Sequence, residues 1–305
     1  MILTATPNPA LDLTWVVESL QVGGTHRAEA GAVRAGGKGL NVARVAHAAG
    51  ADVLTVTTVG GATGDEFRHD LEASGVPHRL IPVAASTRRS AAWVDDALGD
   101  TTIVNERGVN PSDEEWTRVV DAVREEVITA SVLVIAGSLP PGAPPWLLPQ
   151  LIGLGAGIDV IVDTSGAGLL AAADAGAAVL KPNRAELVEA TGIADPFAGA
   201  RELLRRGAGL VLLSLGPEGL CAIGDGASLQ ARLAEPLAGN PTGAGDAAVA
   251  AVACLLDAGI RDPETILRRA TAWSAAAVLM PLAGEISLRW RELEHELIVE
   301  KPSAA

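Results

Sequence analysis

Apolar positions in the middle of the chain follow two alternating rhythms. Residues 132–136, 158–162, 179–180 and 210–213 are short, β-branched apolar runs of the kind that form strands buried on both faces. Between and after them, residues 146–154, 169–175, 185–190 and 198–206 carry apolar side chains at helical spacing. Ser112-Asp113-Glu114-Glu115 has the form of a capping box and predicts a helix reaching about residue 129. Strands alternating with helices predict a three-layer α/β fold, a mostly parallel sheet with helices on both faces. Ligands in such sheets collect at the carboxyl ends of the strands. The polar punctuation falls at those ends, at Gly137-Ser138, Asp163-Thr164-Ser165, Lys181-Pro182-Asn183 and Ser214-Leu215-Gly216.

The first hundred residues break this rhythm. Residues 2–5 read as a strand, Thr6-Pro7-Asn8-Pro9 as a breaker, and 11–17 as a second strand followed by loosely alternating extended chain to Val33. A helix from Leu40 to Gly50, a strand at 52–59 and a helix at about 66–73 come next. Runs at 78–83, 89–94 and 101–104 are then separated only by turn residues, which predicts β-hairpins. Together with the strands near 11–33 they predict a small sheet standing off the main body. Beyond residue 214 a hairpin-like section leads to helices over 246–258, 263–280 and 287–298. Nothing resembling a linker or an internal repeat divides the chain, so residues 1–305 are expected to form one domain.

Composition narrows the function. Apolar residues make up 49% of the chain, with no tyrosine and two phenylalanines, so small side chains must pack the core closely. A formal charge of −14 with no long Lys/Arg cluster argues against nucleic acid. The start of the chain has no secretory signal pattern and no apolar run reaches membrane-spanning length, which reads as a cytoplasmic protein with no membrane partner. Cys221, Cys254 and the five histidines show no metal-ligand spacing.

Two glycine turns opening onto helices carry the chemistry. Asn240-Pro241-Thr242-Gly243-Ala244-Gly245-Asp246 runs into an alanine-rich helix, so its backbone amides and the positive helix end form an anion cradle. Asp246 stands where a Walker loop has lysine; an acid beside a phosphate site suggests a proton acceptor. Gly36-Gly37-Lys38-Gly39 is the second turn, with Lys38 placed to reach an anion and Asn41 one turn on.

Six stretches in this order, Thr6-Pro7-Asn8-Pro9-Ala10-Leu11-Asp12, the segment from Gly36 to Arg44, Gly137 to Pro141, Lys181 to Glu186, Ser214 to Gly219 and Gly243 to Asp246, resemble the ribokinase-like carbohydrate kinases. The likeness is to their phosphofructokinase B branch, closest to 1-phosphofructokinases and tagatose-6-phosphate kinases. It implies ATP-dependent phosphorylation of a sugar hydroxyl. Asp246 would act as general base and Gly243, Ala244 and Gly245 as the anion cradle. Lys181, Asn183, Ser214, Gly216 and Thr242 would join Gly243 and Gly245 around ATP, while Glu186 and Asn183 would hold Mg2+ through its waters. Asp12, Gly37, Asn41 and Ser138 would bind the sugar, with Lys38, Arg88 and Arg107 meeting its phosphate. The small sheet, from roughly 11–34 and 78–107, would be a lid over the sugar that also pairs two subunits as a homodimer.

Fructose 1-phosphate is the first substrate expected, ahead of tagatose 6-phosphate and fructose 6-phosphate, because a nearly symmetric furanose can offer O6 or O1 to one base. Thr102 stands where the resemblance places a substrate-binding arginine of 6-phosphofructokinases, which counts against fructose 6-phosphate. A sugar kinase acting on unphosphorylated substrates would be indifferent to Lys38. A non-catalytic sensor of sugar phosphate or nucleotide would have no need of Asp246, Glu186 and Asn183 together.

Overall fold

The computed structural model describes residues 1–224 and 227–302. In chain order its elements are β1 (Ile2–Thr6), β2 (Ala10–Val17), β3 (Ala32–Gly36), α1 (Lys38–Ala48), β4 (Val53–Val59), α2 (Gly61–Ser74) and β5 (His78–Pro82). Then come β6 (Arg88–Asp95), β7 (Asp100–Asn105), α3 (Asp113–Glu126), β8 (Val132–Ala136), α4 (Leu147–Leu154), β9 (Asp159–Asp163), α5 (Ala167–Asp174) and β10 (Val179–Leu180). The remainder is α6 (Arg184–Thr191), α7 (Pro196–Arg206), β11 (Leu210–Ser214), β12 (Leu220–Gly224), β13 (Ala227–Arg232), α8 (Ala244–Asp257), α9 (Pro263–Val278), α10 (Trp290–Glu296) and β14 (Ile298–Glu300).

Ten strands form the central sheet in the order β14-β13-β12-β11-β10-β9-β8-β1-β4-β5. From β5 to β11 every pairing is parallel, and β12 to β14 close one edge antiparallel. Period-two alternation splits each strand between two cores. Ile2, Val132, Val134 and Leu212 pack with α1, α8 and α9 on one face; Leu3, Leu133, Ile135 and Leu213 pack with α3, α4, α5 and α7 on the other. Both faces are therefore dry, and the α/β architecture expected from the alternating runs is the one found.

The chain runs outward from β1 to β4 and β5, then returns to lay β8 on the other side of β1. That reversal leaves a crevice at the carboxyl ends of β1 and β8, flanked by β9, β10 and β11. Over it stands a separate four-stranded sheet in the order β3-β2-β6-β7.

Three expectations need correction. Residues 78–82 do not belong to the small sheet: β5 pairs in parallel with β4 in the main sheet, with Thr55 opposite His78. Its half-polar sequence belongs to an edge strand, which needs only one buried side. Helix α2 begins at Gly61 rather than near 66, because the extended Gly60 and left-handed Gly61 (φ +66°) start the first turn and the Gly64 amide donates to the Gly60 carbonyl. The last expected helix stops at Glu296, and Ile298–Glu300 instead caps the sheet edge against β13. The hairpin-like section is the β12–β13 pair; residues 225–226 between the two strands, like residues 303–305, lie outside the described residues.

Candidate active site

Gly243 (φ +84°) turns the chain into α8, and a Cβ there would approach Ala283 to 2.9 Å, so only glycine fits. The Ala244 amide is spent on the turn, donating to the Pro241 carbonyl at 3.2 Å. Those of Gly245 and Asp246 have no acceptor among the described residues and form the open, positive end of a 14-residue helix. Asp246 is buried in that first turn. Asn41 Nδ2 donates to its Oδ2 at 2.8 Å, while Asn41 Oδ1 and Thr242 Oγ1 stay buried without partners. Burial first, and the charge of Asp163 second, push the Asp246 pKa up to about 6 against the pull of Lys38, the Asn41 hydrogen bond and Lys181.

Asp163 is the group the sequence did not single out. It ends β9 wholly inside the protein, with the Lys38 Nζ donating to Oδ1 at 2.8 Å and the Lys181 Nζ 3.3 Å from Oδ2. Burial would raise its pKa, but the two ammoniums outweigh burial and hold it below the ordinary carboxylate range. Lys38 also lies 3.4 Å from Glu186 Oε1; its charge is opposed by burial and raised above the usual lysine range by Asp163, Glu186 and Asp246. The only signal for Asp163 was its place at a strand's carboxyl end.

Asn183 and Glu186 form a reciprocal capping box at the start of α6. Asn183 Oδ1 accepts from the Glu186 amide at 2.8 Å, and the Asn183 amide donates to Glu186 Oε2 at 2.9 Å. Glu186 Oε1 and the imperfectly partnered Asp163 Oδ2 remain as hard oxygen donors. Among the described residues no three His, Cys, Asp or Glu gather into a self-sufficient metal cage. One or two carboxylate oxygens beside a phosphate cradle suit Mg2+, which keeps most of its waters.

Asp12, on β2 opposite Arg34, faces the crevice from above; its carboxylate lies over Gly36, diagonally across on β3, where a Cβ would collide with it. Burial, against the opposing charge of Arg88, lifts its pKa to about 7. Arg88 spends its donors on backbone: Nε and Nη2 reach the Asn8 carbonyl at 3.3 and 3.2 Å, and Nη1 the Glu106 carbonyl at 3.1 Å. No carboxylate pairs with it among the described residues. Asn8 Nδ2 in turn donates to the Arg107 carbonyl and to Ser138 Oγ, at 3.1 and 3.3 Å. Arg88, Arg107 and Ser138 are thus drawn together through Asn8, to which the sequence reading assigned no role.

Two clefts meet here. One, of about 770 Å³, is lined by Asp12, Gly37, Lys38, Asn41, Arg88, Arg107, Ser138, Asp163, Lys181, Glu186, Thr242, Gly243 and Asp246. The other, of about 430 Å³, runs from Gly216 past Leu233, Leu237 and Ala275 to Val278. They share Asn183, Ser214, Pro241 and Gly245, so the glycine loop is their common wall. Ser214, Gly216, Asn183 and Gly245, expected around ATP, line the second cleft. Lys181 and Thr242 open onto the first instead, and the apolar walls of the second carried no chemical signal in the sequence.

Two placements add to the sequence reading. Lys38 faces Asp163 and Glu186, whereas Arg88 faces Asp12. Thr102 pairs with Trp93, which stacks on Trp15 on the outer face of the small sheet, and it is Ile103, opposite Ala92, that lines the cleft.

Known proteins resemble this chain in sequence and fold. The chain is 34% identical to a 1-phosphofructokinase of Xanthomonas campestris over 283 residues, 89% of each chain. It is likewise 34% identical to the ATP-dependent 6-phosphofructokinase isozyme 2 of Mycobacterium tuberculosis (strain H37Rv) over 290 residues, 92% of this chain and 84% of that one. The tetrameric inhibited form of phosphofructokinase-2 from Escherichia coli superposes with a TM-score of 0.85 at 29% identity, covering 96% of this chain and 98% of that one. Residues 8–290 match the family described as pfkB family carbohydrate kinase, and the chain belongs to that family.

Proposed function

We propose that the protein transfers the γ-phosphoryl group of ATP to a hydroxymethyl group of a phosphorylated ketohexose, foremost fructose 1-phosphate, giving fructose 1,6-bisphosphate and ADP. The observation that carries this reading is the buried Asp246, with its pKa near 6, which lines the larger cleft next to Gly245 of the shared wall, beside the free amides of Gly245 and Asp246.

Asp246 takes the proton of the attacking hydroxyl as the new oxygen–phosphorus bond forms and the bond to the ADP oxygen breaks. Asn41 orients the carboxylate through its 2.8 Å hydrogen bond. The Gly243–Gly245 turn and the amide dipole of α8 take up charge on the moving phosphoryl group. Bound magnesium would supply charge neutralisation across the ATP phosphates, with Glu186 and Asp163 facing its water shell and Asn183 fixing Glu186. Lys38, ranged with Asp163 and Glu186, serves the phosphoryl group in transfer, and Lys181 keeps Asp163 charged beneath it. Ser214 and Gly216 hold the nucleotide in the smaller cleft. Asp12 and Gly37 hold the sugar ring, and Arg88, Arg107 and Ser138 its distal phosphate.

Relatives named 1-phosphofructokinase support fructose 1-phosphate. The apolar Ile103 on the lid's inner face adds support, since it offers no charge to a second phosphate position. The equally identical 6-phosphofructokinase isozyme keeps fructose 6-phosphate as the second reading. Two copies would pair through the lid's outer face, where the Trp15–Trp93 stack lies beside exposed Val33 and Val104. No helix of the described residues is long and apolar enough to cross a membrane. A cytoplasmic reaction is proposed on the ground that its two substrates would be ATP and a phosphosugar.

The test is ATP consumption with magnesium, side by side on fructose 1-phosphate, fructose 6-phosphate, tagatose 6-phosphate, fructose and ribose. The highest kcat/KM is expected for fructose 1-phosphate. Preference for an unphosphorylated sugar would overturn the assignment.

A further inference from the structure

The backbone of one residue on β3 is gripped from two sides by charged side chains that line neither cleft. β3 is an edge of the small sheet, and Ala35, buried on it, presents its amide and its carbonyl to side chains rather than to another strand. Asp70, on α2, accepts from the Ala35 amide through Oδ2 at 2.8 Å. Arg44, on α1, donates from Nη2 to the Ala35 carbonyl at 3.1 Å and to the same Asp70 oxygen at 2.5 Å. The three bonds close a ring that joins α1, α2 and β3. Asp70 lies outside every stretch on which the family resemblance rests.

Such a ring is costly to bury. Arg44 is 7% exposed, and its Nε has no partner among the described residues. Burial works against its charge, and Asp70 is the main counter-charge that sustains it. An apolar side chain could fill the same space without that cost, so the pair contributes position more than stability. What it positions is the turn that follows. Gly36 comes next, lying so close under the Asp12 carboxylate that no Cβ fits, and then Gly37, which lines the sugar cleft. On its other side the stem of Arg44 backs onto Gly284, where a Cβ would stand 3.0 Å from Cδ. Asn41, which holds Asp246, is one helical turn before Arg44 on α1.

We propose that Asp70 and Arg44 are positioning residues that fix the Ala35–Gly37 segment as a wall of the sugar cleft, so that the pair sets the affinity for phosphosugar and not for nucleotide. The inference rests on the phosphosugar kinase reading above. An offset of about 1 Å in the Gly36 backbone would move the surface on which the Asp12 carboxylate lies, a shift large enough to cost binding geometry. None of Ala35, Arg44 and Asp70 lines the nucleotide cleft. A pair that only held two helices and a strand together would weaken both ligands alike when lost.

The experiment is calorimetric titration with phosphoketohexose and, separately, with the non-hydrolysable analogue AMP-PNP and magnesium, alongside the melting temperature, in the wild type, Asp70→Asn, Asp70→Ala and Asp70→Ala combined with Arg44→Met. The phosphoketohexose is the one that turns over best, so a wrong substrate choice shows as a different turnover ranking and leaves this comparison intact. Asp70→Ala should weaken sugar binding by about tenfold or more, the scale of a lost hydrogen bond to a charged group, and leave AMP-PNP within about twofold. Asp70→Asn keeps an acceptor for the Ala35 amide and gives up the charge, so its loss should be about threefold with the same selectivity. The double variant removes the stranded guanidinium and keeps a stem against Gly284. Its melting temperature should recover toward the wild type while its sugar affinity stays as weak as in Asp70→Ala. Should Asp70→Ala fail to fold, Asp70→Asn and the double variant carry the comparison. Equal weakening of sugar and AMP-PNP, an unchanged sugar affinity, or a sugar affinity that recovers with the melting temperature overturns the proposal.

Discussion

Replacing Lys38 with methionine separates the two roles open to this side chain. A lysine in a glycine turn reads as a ligand for the substrate's existing phosphate; with Asp163 and Glu186 as its neighbours, we propose that it serves the phosphoryl group in transfer. Methionine keeps the length of the chain and removes the charge. Asp163 retains Lys181 at 3.3 Å, so its buried carboxylate is not left without a counter-charge and the variant should fold. An ammonium about 4 Å from a phosphoryl oxygen interacts with about 4 kcal/mol at an effective dielectric near 20, part of which water in the half-open site would replace. The net loss should resemble removal of one electrostatic stabiliser of a transition state, about 10²- to 10³-fold in kcat. Arg88, Arg107 and Ser138 are untouched, so KM for the phosphosugar should stay within about threefold, a change of less than 1 kcal/mol. Steady-state kinetics with each substrate varied in turn provide the measurement. A KM for phosphosugar raised tenfold or more with kcat nearly unchanged would refute the assignment and return Lys38 to the distal phosphate.

Asp246→Asn should lower kcat by about 10²- to 10⁴-fold while leaving the AMP-PNP dissociation constant near that of the wild type, and full turnover in this variant would sink the base assignment. The base works deprotonated and its pKa is raised to about 6, so with Asp12 titrating near 7 beside it kcat/KM should rise with pH through about 6 to 7 and level off above about 8. Asp12, raised to about 7, titrates in the same window, so Asp12→Asn should reduce the steepness of that limb from two protons toward one. If the lid's outer face joins two subunits, the wild type should show twice the 31.0 kDa chain mass by light scattering, and Trp93→Asp should show the single mass.

What the sequence revealed and what it hid divide by the range of the interaction. Strands buried on both faces and helices with caps announce themselves locally, as at Val132–Ala136 and at the Ser112–Glu115 capping box. The glycine loop was legible for the same reason: Gly243 and Asp246 act through backbone conformation and position in one helical turn. Lys38 was visible as a cation but not as a partner of Asp163, because that pairing joins residues 125 apart in sequence and exists only once β9 lies beside the crevice. The lid was legible as excess strand but not as a topology, since β2 and β6 run parallel and no hairpin signal exists for such a pair.

Specificity is where this limit matters most. Thr102, over which the sequence reading sets the arginine of 6-phosphofructokinases, and Ile103 are one position apart, and in a strand one position exchanges the two faces of the sheet. Thr102 looks out with Trp93, toward the proposed subunit contact, while Ile103 looks into the cleft. The inference against a cation at this point holds for either position, because Ile103 carries no charge either. Its physical content changes, however. Around Ile103 the same lid face carries Asp12, Thr14, Ser90 and Ala92 as well as Arg34, whose donors are taken by the Ala283 carbonyl and Glu285, so on the proposed reading the phosphate lies at the Arg88–Arg107 end, the reacting hydroxymethyl at Asp246, and we propose that discrimination between O1 and O6 rests on how the ring seats between Asp12 and Asn41.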